Sequence, residues 1–151
     1  MRLPQRLRGR VGVITGADSD AGQDVARALA AEGMSLMLIA QPGSHVRNLA
    51  EELSATHDVR CFPASLDVTD QAAVDRIVMH AEQHLGTVDA LVNTVTGRMT
   101  DALLPTMEQR GRGHIVNVPP APPLPSGAPT VTIVNVDTGD DAAAAALGAL
   151  T

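Results

Sequence analysis

From residue 10 to residue 93, short apolar runs alternate with stretches of helical periodicity. This rhythm narrows the possible folds more than any other feature. Arg10–Thr15 reads as a strand, Val-Gly-Val-Ile ending in a Thr-Gly turn. Gly22–Glu32 carries a helical period, with Val25, Ala28 and Leu29 on one face and Gly33 as a stop signal. Ser35–Ala40 is a second apolar strand, punctuated by Pro42 and Gly43. Val46, Leu49, Ala50 and Leu53 mark a second amphipathic helix. Val59–Ala64 is a third strand. Thr69 or Asp70 caps a third helix running to Leu85, with Val74, Ile77, Val78 and Ala81 inward and Gly86 closing it. Val88–Asn93 is a fourth strand. Strands spaced by such helices pair in parallel through right-handed crossovers. Their near-continuous apolar character implies helices on both faces. The expectation is an α/β protein with a doubly wound parallel sheet of about six strands.

The second half departs from this rhythm. Asp101–Gln109 supports only a short helix, ending at Gly111-Arg112-Gly113, and His114–Val118 is a fifth strand. Pro119, Pro120, Pro122, Pro123, Pro125 and Pro129 then fall within eleven residues, a density no helix survives. An extended stretch of that length reaches roughly 34 Å at the polyproline rise, against about 20 Å for a six-residue strand. A return to a parallel sixth strand, Val131–Val136, is therefore possible without a helix. Asp140 and Asp141 open an Ala-rich last helix at its positive end. One domain over 1–151 is expected, with a basic arm at 1–9 and a proline-rich connection at 119–129.

The chain of 151 residues contains neither Tyr nor Trp and one aromatic side chain, Phe62; all 11 basic residues are Arg. A phenol, a Schiff-base amine and a lysine phosphate clamp are thus excluded. Net charge of -6 argues against general nucleic-acid binding. Arg2, Arg6, Arg8 and Arg10 give the amino-terminal arm a basic character that could touch an acidic partner, though a solvated tail is the simpler reading. The arm lacks the apolar core of a signal peptide, and no apolar run is long enough to span a membrane. The lone Cys61 forms no intrachain disulfide, so a reducing, cytoplasmic compartment is expected.

The loop Thr15-Gly16-Ala17-Asp18-Ser19-Asp20-Ala21-Gly22 joins strand one to helix one. A glycine turn opening a helix after the first strand is where doubly wound folds hold phosphates. This loop resembles the Thr-Gly-x-x-x-Gly-x-Gly fingerprint of the short-chain dehydrogenase/reductase family, with Asp20 in place of the middle glycine. Leu66-Asp67-Val68 resembles that family's Asp-Val after strand three. Leu91-Val92-Asn93-Thr94-Val95-Thr96 is similar to its Leu-Val-Asn-Asn-Ala-Gly, and His114-Ile115-Val116-Asn117-Val118 to the strand leading to its catalytic serine. The resemblance covers residues 7–118 and, more loosely, 130–138. It implies a Rossmann-like sheet whose helices after strands four and five are shortened or missing.

Pro119 and Pro120 stand where the family has its serine pair, and the Tyr-x-x-x-Lys pair has no counterpart. Carbonyl reduction needs a proton donor at the developing alkoxide. The family uses a tyrosine acidified by a lysine and by the nicotinamide charge. Ser126 and Thr130 could only offer an alcohol, so no catalytic residue is assigned.

For cofactor binding, Gly16, Asp18, Ser19, Asp20, Ala21, Gly22, Gln41, Asp67, Val68 and Asn93 are the candidates. The family implies that Asp67 contacts the adenine amino group and Asn93 the cofactor ribose. Their own chemistry leaves simpler roles open: Ser19 or Asp20 can cap helix one, Asp67 can start its loop or cap helix three, and Asn93 can close the sheet edge. Asp18 and Asp20, if turned inward, oppose a pyrophosphate. One unit-charge pair at about 4 Å and an effective dielectric near 20 is worth about 4 kcal/mol. Ala40 and Gln41 end strand two with neither the acid of NAD sites nor the base of NADP sites. NAD or NADP, held weakly, is the cofactor expectation, with Gln41 leaning to NAD.

His80 and His84 have a spacing that can hold a metal, but they flank the apolar stripe and read better as a solvated face. Cys61 reads as buried, and Glu51 and Glu52 as solvated helix charges. Shortened helices would leave apolar surface over strands four to six, open to a protein partner or an oligomer. The favoured expectation is a dinucleotide-binding domain not catalytic alone. The alternatives are an oxidoreductase with a partner-supplied or non-family proton donor, a ligand-free interaction or regulatory module, and a decayed gene product.

Overall fold

The structure, a computed structural model, describes residues 7–95, 97–118, 131–136 and 141–150. In chain order the elements are β1 (Val11–Thr15), α1 (Asp20–Ala31), β2 (Ser35–Ala40), α2 (Val46–His57), β3 (Cys61–Ser65), α3 (Gln71–His84), β4 (Ala90–Asn93), α4 (Met99–Arg110), β5 (His114–Asn117), β6 (Thr132–Asn135) and α5 (Ala142–Leu150). The strands form one parallel sheet in the order β3-β2-β1-β4-β5-β6. This is the doubly wound Rossmann arrangement, and its strand order reverses between β1 and β4. Most of arm 1–9, the stretch 119–129, Ser126, Thr130 and Asp140 lie outside the described residues.

Alternation along the strands divides the core. Ile14, Leu36, Leu38, Val92 and Val116 face α1, α2 and α5, meeting Val25 and Leu29, Leu49 and Leu53, and Ala146 and Leu150. Val13, Met37, Ile39, Leu91 and Ile115 point the other way, against Val74 and Ala81 of α3 and Met99, Leu103 and Met107 of α4. The Val, Leu, Ile and Met side chains among these each contribute about 1.5–3 kcal/mol when fully buried. The Ala-rich α5 packs on α1, and Asp141 Oδ1 caps it by accepting from the amides of Ala143 and Ala144. Glu52 is not merely solvated: it pairs with Arg27 and links α2 to α1.

The helix after β4 runs two residues earlier and one later than Asp101–Gln109, despite Pro105 within it. The proline removes one ladder bond, while burial of Met99, Leu103 and Met107 on one stripe holds the helix to the sheet. Gly111, at φ 74°, ends it in the left-handed conformation. Because α4 lies over β4 and β5, Leu91 and Ile115 are fully buried. Apolar exposure expected over strands four to six is therefore confined, among the described residues, to half-buried Ile133 and Val134 of β6. No helix of the described residues is long and apolar enough to cross a membrane.

Candidate functional site

The reversal of strand order leaves a crevice at the carboxyl ends of the strands, where ligands of open α/β sheets bind. The loop after β1 builds one wall. Gly16 takes φ 64°, a conformation costly for other residues. The Ala17 amide bonds to the Ile39 carbonyl at 2.9 Å and ties the loop to β2. Ser19 is the cap of α1: its Oγ accepts from the Gly22 amide at 3.0 Å and donates to the Gly16 carbonyl at 2.6 Å. Asp20 is instead the exposed first residue of the helix, where its charge suits the positive end of the dipole.

Packing explains both retained glycines. A Cβ on Gly16 would lie 2.1 Å from Thr94 Oγ1, and one on Gly22 would lie 2.2 Å from the Gly16 carbonyl oxygen. Thr94 is almost wholly buried, and its Oγ1 donates within reach of the Thr15 and Gly16 carbonyls at 2.7 and 3.1 Å. It also lies 3.2 Å from Ser19 Oγ. Nothing local to the chain singles out Thr94, because its role depends on β4 lying beside β1.

The opposite wall is the loop after β3. Asp67 Oδ1 accepts from the Thr69 hydroxyl at 2.6 Å and the Thr69 amide at 2.9 Å. Those two bonds hold its carboxyl below the usual carboxylate range. The cap of α3 is Asp70, whose Oδ1 accepts from the Ala72 and Ala73 amides. Arg98, also missed in the sequence, steadies this wall: its amide donates to the Val68 carbonyl at 2.7 Å and its Nε to the Thr69 carbonyl at 2.9 Å.

Between the walls lies a cleft of about 550 Å³, within the usual range for small-molecule sites. Gly16, Asp18, Ser19, Gln41, Asp67 and Val68, all candidates from the sequence, line it together with Ile39, Ala40, Pro42, Leu66, Thr69 and Val95. Asp20, Ala21, Gly22 and Asn93 are not in its lining. Asn93 closes the sheet edge: its Oδ1 accepts from Thr15 Oγ1, and its Nδ2 donates to Thr100 Oγ1 and Asn117 Oδ1. Ala21 and Gly22 sit in the first turn of α1, with Gly22 buried against the loop. Beyond Asp18 a second hollow of about 410 Å³ opens between α1 and α2, where Arg27 is engaged by Glu52.

Residues 10–100 match the sequence model described as short chain dehydrogenase. A short chain dehydrogenase of Pseudocercospora fijiensis is 26% identical over 145 residues, covering 78% of this chain and 47% of its own. An uncharacterized oxidoreductase of Staphylococcus haemolyticus is 30% identical over 138 residues, 74% of this chain and 58% of its own. The chain thus spans about half the length of these relatives. Among solved structures, L-sorbose reductase from Gluconobacter frateurii, complexed with NADPH and L-sorbose, superimposes with a TM-score of 0.67 at 27% identity, over 77% of this chain and 54% of that one. An alcohol dehydrogenase from Thermococcus sibiricus, complexed with 5-hydroxy-NADP, gives 0.65 at 27%, over 72% and 57%.

Proposed function

The chain belongs to the short chain dehydrogenase family, and on that premise we propose that its cleft binds the adenosine half of a nicotinamide dinucleotide, weakly and with a preference for NAD. The single observation carrying this reading is that six candidates from three separate segments, the loop after β1, the end of β2 and the loop after β3, line one cleft at the reversal of strand order. Its residues suit the ligand. Ile39, Leu66, Val68 and Val95 offer apolar walls to a flat base, ionised Asp67 offers an acceptor to an exocyclic amine, and Gln41 can hydrogen-bond a ribose hydroxyl. Asp18 on the rim opposes phosphate and keeps affinity low. Neither Ala40 nor Gln41 carries the positive charge that a 2′-phosphate rewards. When bound, the dinucleotide would supply hydride chemistry.

The chain alone does not complete that chemistry. It has no Tyr and no Lys. Among the described residues, Asn93, Thr94, Asn117 and Asn135 at the ends of β4 to β6 and Thr100 at the start of α4 offer amides and alcohols. Neither group releases a proton readily at neutral pH. A second reading, an oxidoreductase whose proton donor comes from outside this sequence, is favoured by the chain spanning about half of its relatives. Calorimetric titration with NAD(H) and NADP(H) is the test. Binding of NAD(H), weaker for NADP(H), is expected; no heat and no thermal shift at millimolar cofactor refutes the reading. Robust turnover of ketone or alcohol panels by the purified chain would overturn its non-catalytic part.

A further inference from the structure

His80 and His84 lie one turn apart at the carboxyl end of α3, both exposed. Their ring centroids are 4.2 Å apart, and the ring planes tilt by 48°. His84 also rests beside Phe62 of the edge strand β3, with centroids 6.1 Å apart. Neither histidine lines the nucleotide cleft. We infer that this pair is a second binding site, for one late first-row divalent metal ion of the copper, nickel or zinc class.

Imidazole nitrogen is a preferred ligand of these ions. An ion bonding two ring nitrogens at about 2.0–2.1 Å in a cis or tetrahedral arrangement holds those nitrogens roughly 3 Å apart. Residues one turn apart project from one helix face, and turning about χ1 and about χ2, a torsion with broad wells, brings one nitrogen of each ring to that spacing. The helix fixes both backbones, since Val74 and Ala81 are buried against the sheet. Once one imidazole has bound, the second bond is intramolecular. Phe62 restrains the His84 ring and lowers the freedom lost on binding. His84 is also the last residue of α3, so a cation there meets the negative end of the helix dipole. Two guanidiniums lie near: Arg60 directs its Nη1 to the His84 carbonyl, and Arg76 stands one turn before His80 and lines a surface hollow with it. No set of three or more His, Cys, Asp or Glu ligands exists among the described residues. Water therefore completes the coordination shell, which suits an exchangeable site. The sequence alone favoured a solvated face for this pair; it could not show that the two rings converge or that Phe62 backs one of them.

The test titrates the tag-free chain with Cu2+, following calorimetric heat and visible d–d absorption, and repeats it with Ni2+. One ion per chain is expected in the first binding step, with a rise in Tm because the ion binds the folded helix. That step is lost in His80→Ala and in His84→Ala. It is kept in the double variant His45→Ala/His57→Ala, which removes two isolated histidines of the α2 region. All four positions lie outside the apolar core, and circular dichroism verifies the fold of each variant. A first step unchanged in His80→Ala/His84→Ala, or absent from the parent chain, overturns the inference.

Discussion

Asn93 Nδ2 donates to Asn117 Oδ1 at 3.1 Å, and Asn117 Nδ2 passes the same bond to Asn135 Oδ1, also at 3.1 Å. The three residues occupy equivalent register positions on β4, β5 and β6. Parallel register puts equivalent side chains on one face, so the amides form a row along the carboxyl edge of the sheet. Thr15 extends it to β1 through its bond to Asn93. Asn117 is 3% exposed, so water cannot replace its bonds. Asn117→Leu should leave the Asn93 donor short of a partner and cost about 1–3 kcal/mol. Urea unfolding should show a lower midpoint at unchanged slope.

Gly22→Ala tests the packing of the first turn. Helix propensity alone favours alanine by about 1 kcal/mol. The new Cβ would instead meet the Gly16 carbonyl oxygen at 2.2 Å, and backbone cannot swing aside as a long side chain can. A net destabilisation of about 1–3 kcal/mol is expected. A higher melting temperature would refute the close approach.

Ser19 and Asp20 separate capping from mere charge. Ser19→Ala removes the acceptor for the Gly22 amide and should cost about 1 kcal/mol. Asp20→Ala should cost only a few tenths, because exposed Asp20 contributes through the dipole alone. Paired denaturation curves decide between them, and equal losses would contradict the assignment.

Asp18 sets the charge at the cleft rim. Asp18→Asn should raise affinity for NAD by about fivefold at low salt, the effect of one solvated charge pair at about 4 Å. The gain should shrink as salt is added. Calorimetry at two ionic strengths measures both.

Cys61 is a largely buried thiol, 9% exposed. Desolvation pushes its pKa up to about 11, against smaller lowering effects of Ser54 and the Leu36 backbone. The folded chain therefore holds the proton through a pH range in which the unfolded chain, near 9.0, has released it. Stability should fall as pH rises from about 9 to about 11. At pH 8 a thiol reagent should label Cys61 slowly in buffer and rapidly in urea; equal rates would contradict its burial.

Element order was legible because its signals are local. Ser35–Ala40 coincides with β2 residue for residue, since an apolar run bounded by turn residues needs no distant partner to be recognised. The region around Pro105 was harder. Proline and weak amphipathicity argue locally for a short helix, whereas burial of Met99, Leu103 and Met107 depends on a sheet assembled from distant residues. The candidate site divides in the same way. The Gly16–Gly22 loop, Gln41 and Asp67 could be read from position after a strand, and the structure gathers five residues of that set, Gly16, Asp18, Ser19, Gln41 and Asp67, with Val68 around one cleft.

By itself the sequence determined the alternation of strands and helices, the loop that opens α1, and the absence of any tyrosine or lysine. Only the tertiary structure decided what the ambiguous polar residues do. Ser19, not Asp20, caps α1; Asp67 folds onto Thr69 while Asp70 caps α3; Asn93 joins a row of amides instead of lining the cleft. The physical reason is that side-chain oxygens and amides choose partners by distance and direction. Those follow from parallel register and helix placement, which bring together residues as far apart in sequence as Ser19 and Thr94.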